Sequence, residues 1–229
     1  MKILAVIPAR GGSKRVPGKN LRKLGNKPLI NWTIDNAQIT PDLFEILVST
    51  DDPAIAEIAK SSGVMVPWLR PKELATDAAS SVDVTLHALD WYEKEKGAVD
   101  GVLLLQPTSP FRTQETIQYA INLFRKNRDC TIIGVSPVRD HSINIFVKQG
   151  KFLIPFSRQN NLKSESEDKP DLYSINGCIY LISPTNLRTK YSFIGSDFLP
   201  VVINSSIEAL DIDTESDFKL AETVTKMLS

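Results

Sequence analysis

The chain is poor in the residues that most readily disclose chemistry on their own. Two cysteines and two histidines, far apart in 229 residues, leave no zinc-ligand spacing and no disulfide framework. Cys130 and Cys178 both lie in apolar runs and read as reduced, buried thiols. Net charge is missing as well. The 27 Lys+Arg against 27 Asp+Glu give no global basic field for nucleic acid and no acidic tail. Long apolar runs are absent too. The start MKILAVIPARGG places one basic residue before a six-residue apolar run, too short for a signal-peptide core or a membrane span. The expectation is a soluble, cytoplasmic protein with neither a membrane nor a nucleic-acid partner.

What is present is globular: 42% hydrophobic and 24% charged residues. A chain of this length buries roughly 70–75% of its unfolded surface, so a core needs no staples. Apolar runs and helical spacings alternate along it. Lys2–Pro8 reads as a buried strand and Leu29–Ala37 as a helix. Phe44–Ser49 is a strand, followed by a helix capped by Asp51 and running to Ala59. Ser80 or Ser81 opens a helix to Glu95. Gly101–Leu105 and Cys130–Val135 read as strands around a helix at Thr113–Lys126. After Pro137 the rhythm breaks into a β-rich insertion at 138–176, with a polar stretch NNLKSESEDKPD. Gly177–Ile182 and Ala209–Ile212 are expected as further strands, and Glu215–Met227 as a closing helix. This order predicts a Rossmann-like, doubly wound α/β fold, mostly parallel, as a single domain over 1–229.

In such sheets ligands bind beyond the carboxyl ends of the strands, so four stretches matter. The first, Ala9–Asn20, carries four cations and three glycines in twelve residues. Glycines let backbone N–H groups face a ligand and the cations supply charge, which suits a polyphosphate. It matches neither the P-loop, which would need Gly at 13 and Ser or Thr at 20, nor G-x-G-x-x-G; a solvated basic loop is the alternative. The second, Leu69–Ser81, offers Arg70 and two serines at a helix start, where capping alone explains one serine. The third, LQPTSPFR at 105–112, is rigid and polar, suited to orienting a substrate or to a structural turn. The fourth is Asp211-Ile212-Asp213. On a strand the two carboxylates share one face and can hold Mg²⁺; the alternative is that Asp213 caps the last helix. His87 and His141 carry no acid–base pattern, and His87 reads as a packed helix residue.

The motifs IPARGGSKRVPGKN, LRPKELATDAASS, LQPTSPFR, INGCIY and LDIDTESD occur in that order. Together they resemble the CMP-sialic acid synthetases (acylneuraminate cytidylyltransferases) over nearly the whole chain. The resemblance implies a homodimeric enzyme, paired through the insertion. It would couple CTP to the anomeric hydroxyl of a nonulosonic acid, with Mg²⁺, releasing pyrophosphate. It also implies roles. Arg10, Gly11, Ser13, Lys14, Lys19, Asn20, Arg70 and Ser81 would bind the nucleotide. Gln106, Asn176, Gly177, Tyr180 and Arg158 would bind the sugar, with Lys169 a second source of counter-charge for its carboxylate. Asp211 and Asp213 would hold the metal, and Arg10, Lys19 and Asp211 would act at the reacting phosphate. On the sugar side the chain departs from the family. Asn160–Lys169 lengthens the gap before Asn-Gly, no basic residue precedes that pair, and Asp140-His141-Ser142 lacks a lysine. The departures point away from N-acetylneuraminate and keep legionaminic, pseudaminic and related diamino acids open. The 3-deoxy-manno-octulosonate cytidylyltransferases, with a similar first loop, and a non-catalytic nucleotide-binding regulator are the competing readings.

Overall fold

A computed structural model describes residues 1–138, 146–149, 152–155, 171–195 and 198–228. Arg158, Lys169 and His141 lie outside them, as does most of the insertion.

A six-stranded sheet forms the centre, in the order β10-β6-β9-β5-β1-β4. Its strands are β1 (Ile3–Pro8), β4 (Glu45–Ser49), β5 (Gly101–Leu104), β6 (Thr131–Pro137), β9 (Tyr173–Ile182) and β10 (Phe198–Val202). All pairings are parallel except those of β9, which runs antiparallel between β5 and β6. Among the described residues there are two further antiparallel pairs: β2 (Lys23–Leu24) with β3 (Lys27–Pro28), and β7 (Phe146–Gln149) with β8 (Phe152–Pro155).

The continuous apolar run of β1 is explained by burial on both faces. Ile3, Ala5 and Ile7 pack into one cluster with α1 (Leu29–Gln38), α2 (Pro53–Ser61) and α4 (Gln114–Lys126). Leu4 and Val6 face a second cluster holding Ala88, Leu89 and Tyr92 of α3 (Ser81–Lys96) and Leu187 of α5 (Pro184–Lys190). A third, smaller cluster lies at the cleft end of the sheet. It joins Val16 of the first loop, Phe111, Ile212, and Phe218 and Ala221 of α6 (Glu215–Leu228). Helix starts follow local chemistry. Ser80 and Asp83 form a reciprocal capping box on α3, and Thr113 accepts from the Thr116 N–H on α4. Among the described residues no helix is long and apolar enough to cross a membrane.

Several expectations need correction. Asp52, not Asp51, caps α2, because Asp51 Oδ1 is engaged by the Gly11 N–H at 3.1 Å. Ala209–Ile212 forms no strand; the edge position beside β6 is taken by β10. The strand expected from Gly177 begins at Tyr173. Cys130 is half-buried, while Cys178 is buried as expected, and both are free thiols.

Candidate active site

The carboxyl ends of β1 and β5 open onto one cleft of about 680 Å³. Arg10, Ser13, Lys14, Lys19 and Asn20 line it from the first loop, Arg70 and Ser81 from the second, Gln106 from the third, and Asp211 and Asp213 from the fourth. Residues more than 190 positions apart in the chain therefore share one cavity. The cause is the third apolar cluster. Val16 and Ile212 are both fully buried in it, and burying one such side chain contributes roughly 1.5–3 kcal/mol. The backbone completes the join. Ile212 N–H donates to the Thr108 carbonyl at 2.8 Å, and Lys19 Nζ donates to the Ile212 carbonyl at 2.7 Å. The two acids thus reach the cleft because Ile212 is anchored between them, not because they sit on a strand.

Four cations of the first loop are held in two groups. Arg10 and Lys14 both grip Asp77, at 2.7 and 2.5 Å, while Arg15 and Lys19 approach Asp213 at 3.0 and 3.9 Å. Lys14 and Arg10 together hold the Asp77 carboxyl below its usual range. Burial pushes the Lys19 ammonium below the ordinary lysine value, against the pull of Asp213 and Asp211. Asn20 is buried and donates to the Arg10 carbonyl at 3.0 Å, so it shapes the loop. Gly11 plays a packing part. Its N–H is taken by Asp51, and a Cβ there would stand 2.6 Å from Asp52 Oδ2. Arg70 is buried and tied to the end of β4, donating to Ser49 Oγ at 3.0 Å and to the Ser49 carbonyl. Burial lowers its pKa to about 10, leaving it cationic at neutral pH.

Asp211 differs from Asp213. Burial raises the Asp211 carboxyl above its ordinary value, opposed by a hydrogen bond from Thr108. Its Oδ1 is buried and has no hydrogen-bond partner among the described residues. Asp213 does not cap α6: Thr214 Oγ1 accepts from the Asp217 N–H, and Asp217 accepts from Thr214 in return.

A second cavity of about 410 Å³ shares Gln106 and Asp211 with the first and adds Asn176, Gly177 and Tyr180. Between the pairs Ile133–Tyr180 and Val135–Ile175 the β6–β9 register breaks, and β9 takes up extra residues there. The irregularity presents Asn176 and Gly177 to the cavity. Both ends of the Asn176 amide are engaged, Nδ2 with Ser136 Oγ at 2.9 Å and Oδ1 with the Cys178 N–H at 3.1 Å.

The cytidylyltransferase family model matches residues 4–226. The CMP-N,N'-diacetyllegionaminic acid synthase of Legionella pneumophila is 39% identical, over 99% of this chain and 97% of that protein. The chain belongs to the cytidylyltransferase family, on its CMP-sialic acid synthetase branch. The pseudaminic acid cytidylyltransferase of Campylobacter jejuni is 30% identical, over 99% of this chain and 97% of its own. The N-acylneuraminate cytidylyltransferase of Escherichia coli is 37% identical over 97% of this chain, which spans only 52% of that protein. A solved CMP:2-keto-3-deoxy-manno-octonic acid synthetase in complex with CTP superposes with a TM-score of 0.74, covering 100% of both chains at 18% identity. That likeness is one of fold.

Of the residues singled out in the sequence of this cytidylyltransferase, ten line the larger cavity and five the smaller, Gln106 and Asp211 lining both. Gly11 lines neither. Two residues of the site carry no signal in the sequence: Asp77, whose pairing depends on the folded loop, and Arg112. The latter stands at the end of the LQPTSPFR motif yet is fully buried, donating to the Cys178 and Gln106 carbonyls at 2.5 and 2.9 Å. His87 is indeed a packed helix residue, edge-on to Trp68 with ring centroids 4.4 Å apart.

Proposed function

We propose that the chain transfers the cytidylyl group of CTP to the anomeric hydroxyl of a nonulosonic acid, releasing pyrophosphate. The observation carrying this reading is that the cationic loop and the Asp211/Asp213 pair line one cavity, whose wall at Gln106 and Asp211 continues into a second. The first space suits the nucleotide and the second the sugar acid, so the attacking hydroxyl and the α-phosphorus meet beside Asp211. The hydroxyl oxygen forms the new P–O bond as the bond from the α-phosphorus to the β-phosphate oxygen breaks, and the hydroxyl proton passes to a base, the nearby Asp211 carboxylate or a phosphate oxygen of the departing pyrophosphate. Lys19 and Arg10 neutralise charge on the reacting phosphate, and Lys14 with Ser13 takes the departing pyrophosphate. Positioning and electrostatics do most of such chemistry. Arg70 and Ser81 flank the nucleoside end.

The donor set fits Mg²⁺. That ion binds through one or two carboxylates and completes its shell with waters and phosphate oxygens. Among the described residues no cluster of three or more His, Cys, Asp or Glu side chains could hold a metal, but Asp211 offers a buried oxygen without a partner and Asp213 lies two residues on. These two would hold it, and the ion would withdraw charge from the phosphate oxygens.

The 39% identity over 97% of the protein named for diacetyllegionaminic acid, against 37% over 52% of the N-acylneuraminate cytidylyltransferase, joins the departures on the sugar side of the sequence in favouring a diamino nonulosonic acid. We also read the chain as one domain whose insertion at 138–176 pairs two copies, with Arg158 supplying a counter-charge to the sugar carboxylate. Drawing on CTP, the enzyme would work in the cytoplasm. The test is a panel of nonulosonic acids and 3-deoxy-manno-octulosonate, each incubated with Mg²⁺ and every nucleoside triphosphate, following pyrophosphate. Release with CTP and a diamino acid is expected. No release with any acid would leave only a nucleotide-binding role.

A further inference from the structure

Arg112 is the largest fully buried side chain in the described residues. A guanidinium taken wholly out of water is costly, and such a charge normally finds a carboxylate. This one does not. Nε donates to the Cys178 carbonyl at 2.5 Å, Nη2 donates to the Gln106 carbonyl at 2.9 Å, and Nη1 has no partner among the described residues. The two carbonyls belong to the two segments that build the smaller cavity. Gln106 opens the loop after β5 and lines both cavities, while Cys178 follows Gly177 on β9. Those segments approach closely: a Cβ on Gly177 would stand 3.2 Å from Gln106 Oε1 and 3.7 Å from Ser109 Oγ. Neither segment is linked to the other at this point by regular strand pairing, because the β5–β9 ladder covers only Val102–Leu104 against Tyr180–Ile182. Beyond the last pair the Arg112 fork spans the gap.

We propose that Arg112 is a positioning residue for the acceptor half of the cleft. Its planar fork fixes Gln106 relative to Asn176–Cys178, and so fixes the width of the sugar-binding space. A planar, pre-organised donor array suits this task, since two bonds from one rigid group set distance and angle together. The chain reinforces the arginine from behind, where Asn36 Nδ2 donates to the Arg112 carbonyl at 2.5 Å. The nucleotide half shares Gln106, but most of its lining, from Arg10 to Asn20 and from Arg70 to Ser81, comes from other loops, and Arg112 donates to none of those residues.

This inference rests on the acceptor being a nonulosonic acid. The test is a comparison of wild type, Arg112→Met and Arg112→Lys, using the acid that wild type turns over best. Equilibrium binding of CTP is measured apart from the steady-state KM for the acid. Arg112→Met should bind CTP within about twofold of wild type, while the KM for the acid rises at least tenfold. Arg112→Lys, which keeps the charge but can serve only one carbonyl well, should fall between. An acid KM within twofold of wild type in Arg112→Met would overturn the proposal, as would equal losses of CTP and acid binding. If Arg112→Met does not fold, Arg112→Lys is held to the same standard with a threefold rise. Failure of both to fold would assign Arg112 to global stability and overturn the positioning role. A wild type that turns over no acid at all would instead overturn the functional reading beneath it.

Discussion

Lys19 Nζ donates to the carbonyl of Ile212 at 2.7 Å and stands 3.9 Å from Asp213 Oδ1, across 193 residues of chain. One ammonium is thereby held against the backbone between two carboxylates and aimed into the cleft. Lys19→Ala should lower turnover by on the order of 10²–10³, the scale for losing a preorganised charge at a reacting centre. Its stability cost should be smaller, roughly 1–3 kcal/mol for a hydrogen bond from a charged group. Pyrophosphate release and denaturant unfolding read the two separately. Turnover near that of wild type would remove Lys19 from the reacting phosphate.

Asp211 should behave as a residue that function keeps at a cost to stability. Burial raises its carboxyl above the ordinary 3.8, so folding favours the protonated form. The contribution is full below that ordinary value and is lost as pH rises through the raised one. At neutral pH Asp211→Asn should therefore melt above wild type without ligand, and should lack the decline in stability that wild type shows as pH rises from about 4. The same variant should need far more Mg²⁺ for turnover. An unaltered Mg²⁺ titration would show that the carboxylate does not serve the ion.

Asp77 fills the place of an anion between Arg10 and Lys14. An entering triphosphate must take both cations from it. Asp77→Asn should accordingly tighten CTP and pyrophosphate severalfold at low ionic strength, with the gain shrinking as salt is added. Weaker binding in the variant, measured by calorimetry, would mean that Asp77 orients the cations for the ligand instead of competing with it.

Gly177 has φ +79°, a conformation that costs a residue with a Cβ roughly 1–2 kcal/mol. Gly177→Ala adds a methyl group 3.2 Å from Gln106 Oε1. A higher KM for the sugar acid is expected, with CTP binding little changed and modest destabilisation. Unchanged sugar kinetics would place Gln106 outside the acceptor site.

Elements with a decisive local cause were legible in the sequence. β1 was readable because burial on both faces requires a continuous apolar run, and α6 because Phe218, Ala221 and Val224 recur at helical spacing. The cap of α2 was misassigned between two adjacent aspartates, since the choice rests on Asp51 being held by Gly11, forty residues earlier. β10 was missed because Pro200 argues against a strand, and only its place at the sheet edge beside β6 tolerates it. Ala209–Ile212 imitated a strand because Leu210 and Ile212 pack into the third cluster. That the loops share one end of the sheet was legible from the alternation of strands and helices; which of their residues serve nucleotide, metal and sugar was legible only through the resemblance to a family. No local pattern says that Lys19 meets Asp213, and none marks Arg112 or Asp77.

The reversed direction of β9 has a consequence for how such an enzyme diversifies. Because that strand runs opposite to its neighbours, its incoming end, not its outgoing end, arrives at the mouth of the cleft. Ser174 to Gly177, which line the smaller cavity, thus follow directly from the inserted segment, whereas the larger cavity draws on the opening eighty or so positions, the loop after β5 and the stretch before the last helix. On the proposed function, substitutions in the insert would retune which acid is accepted and leave the donor chemistry intact.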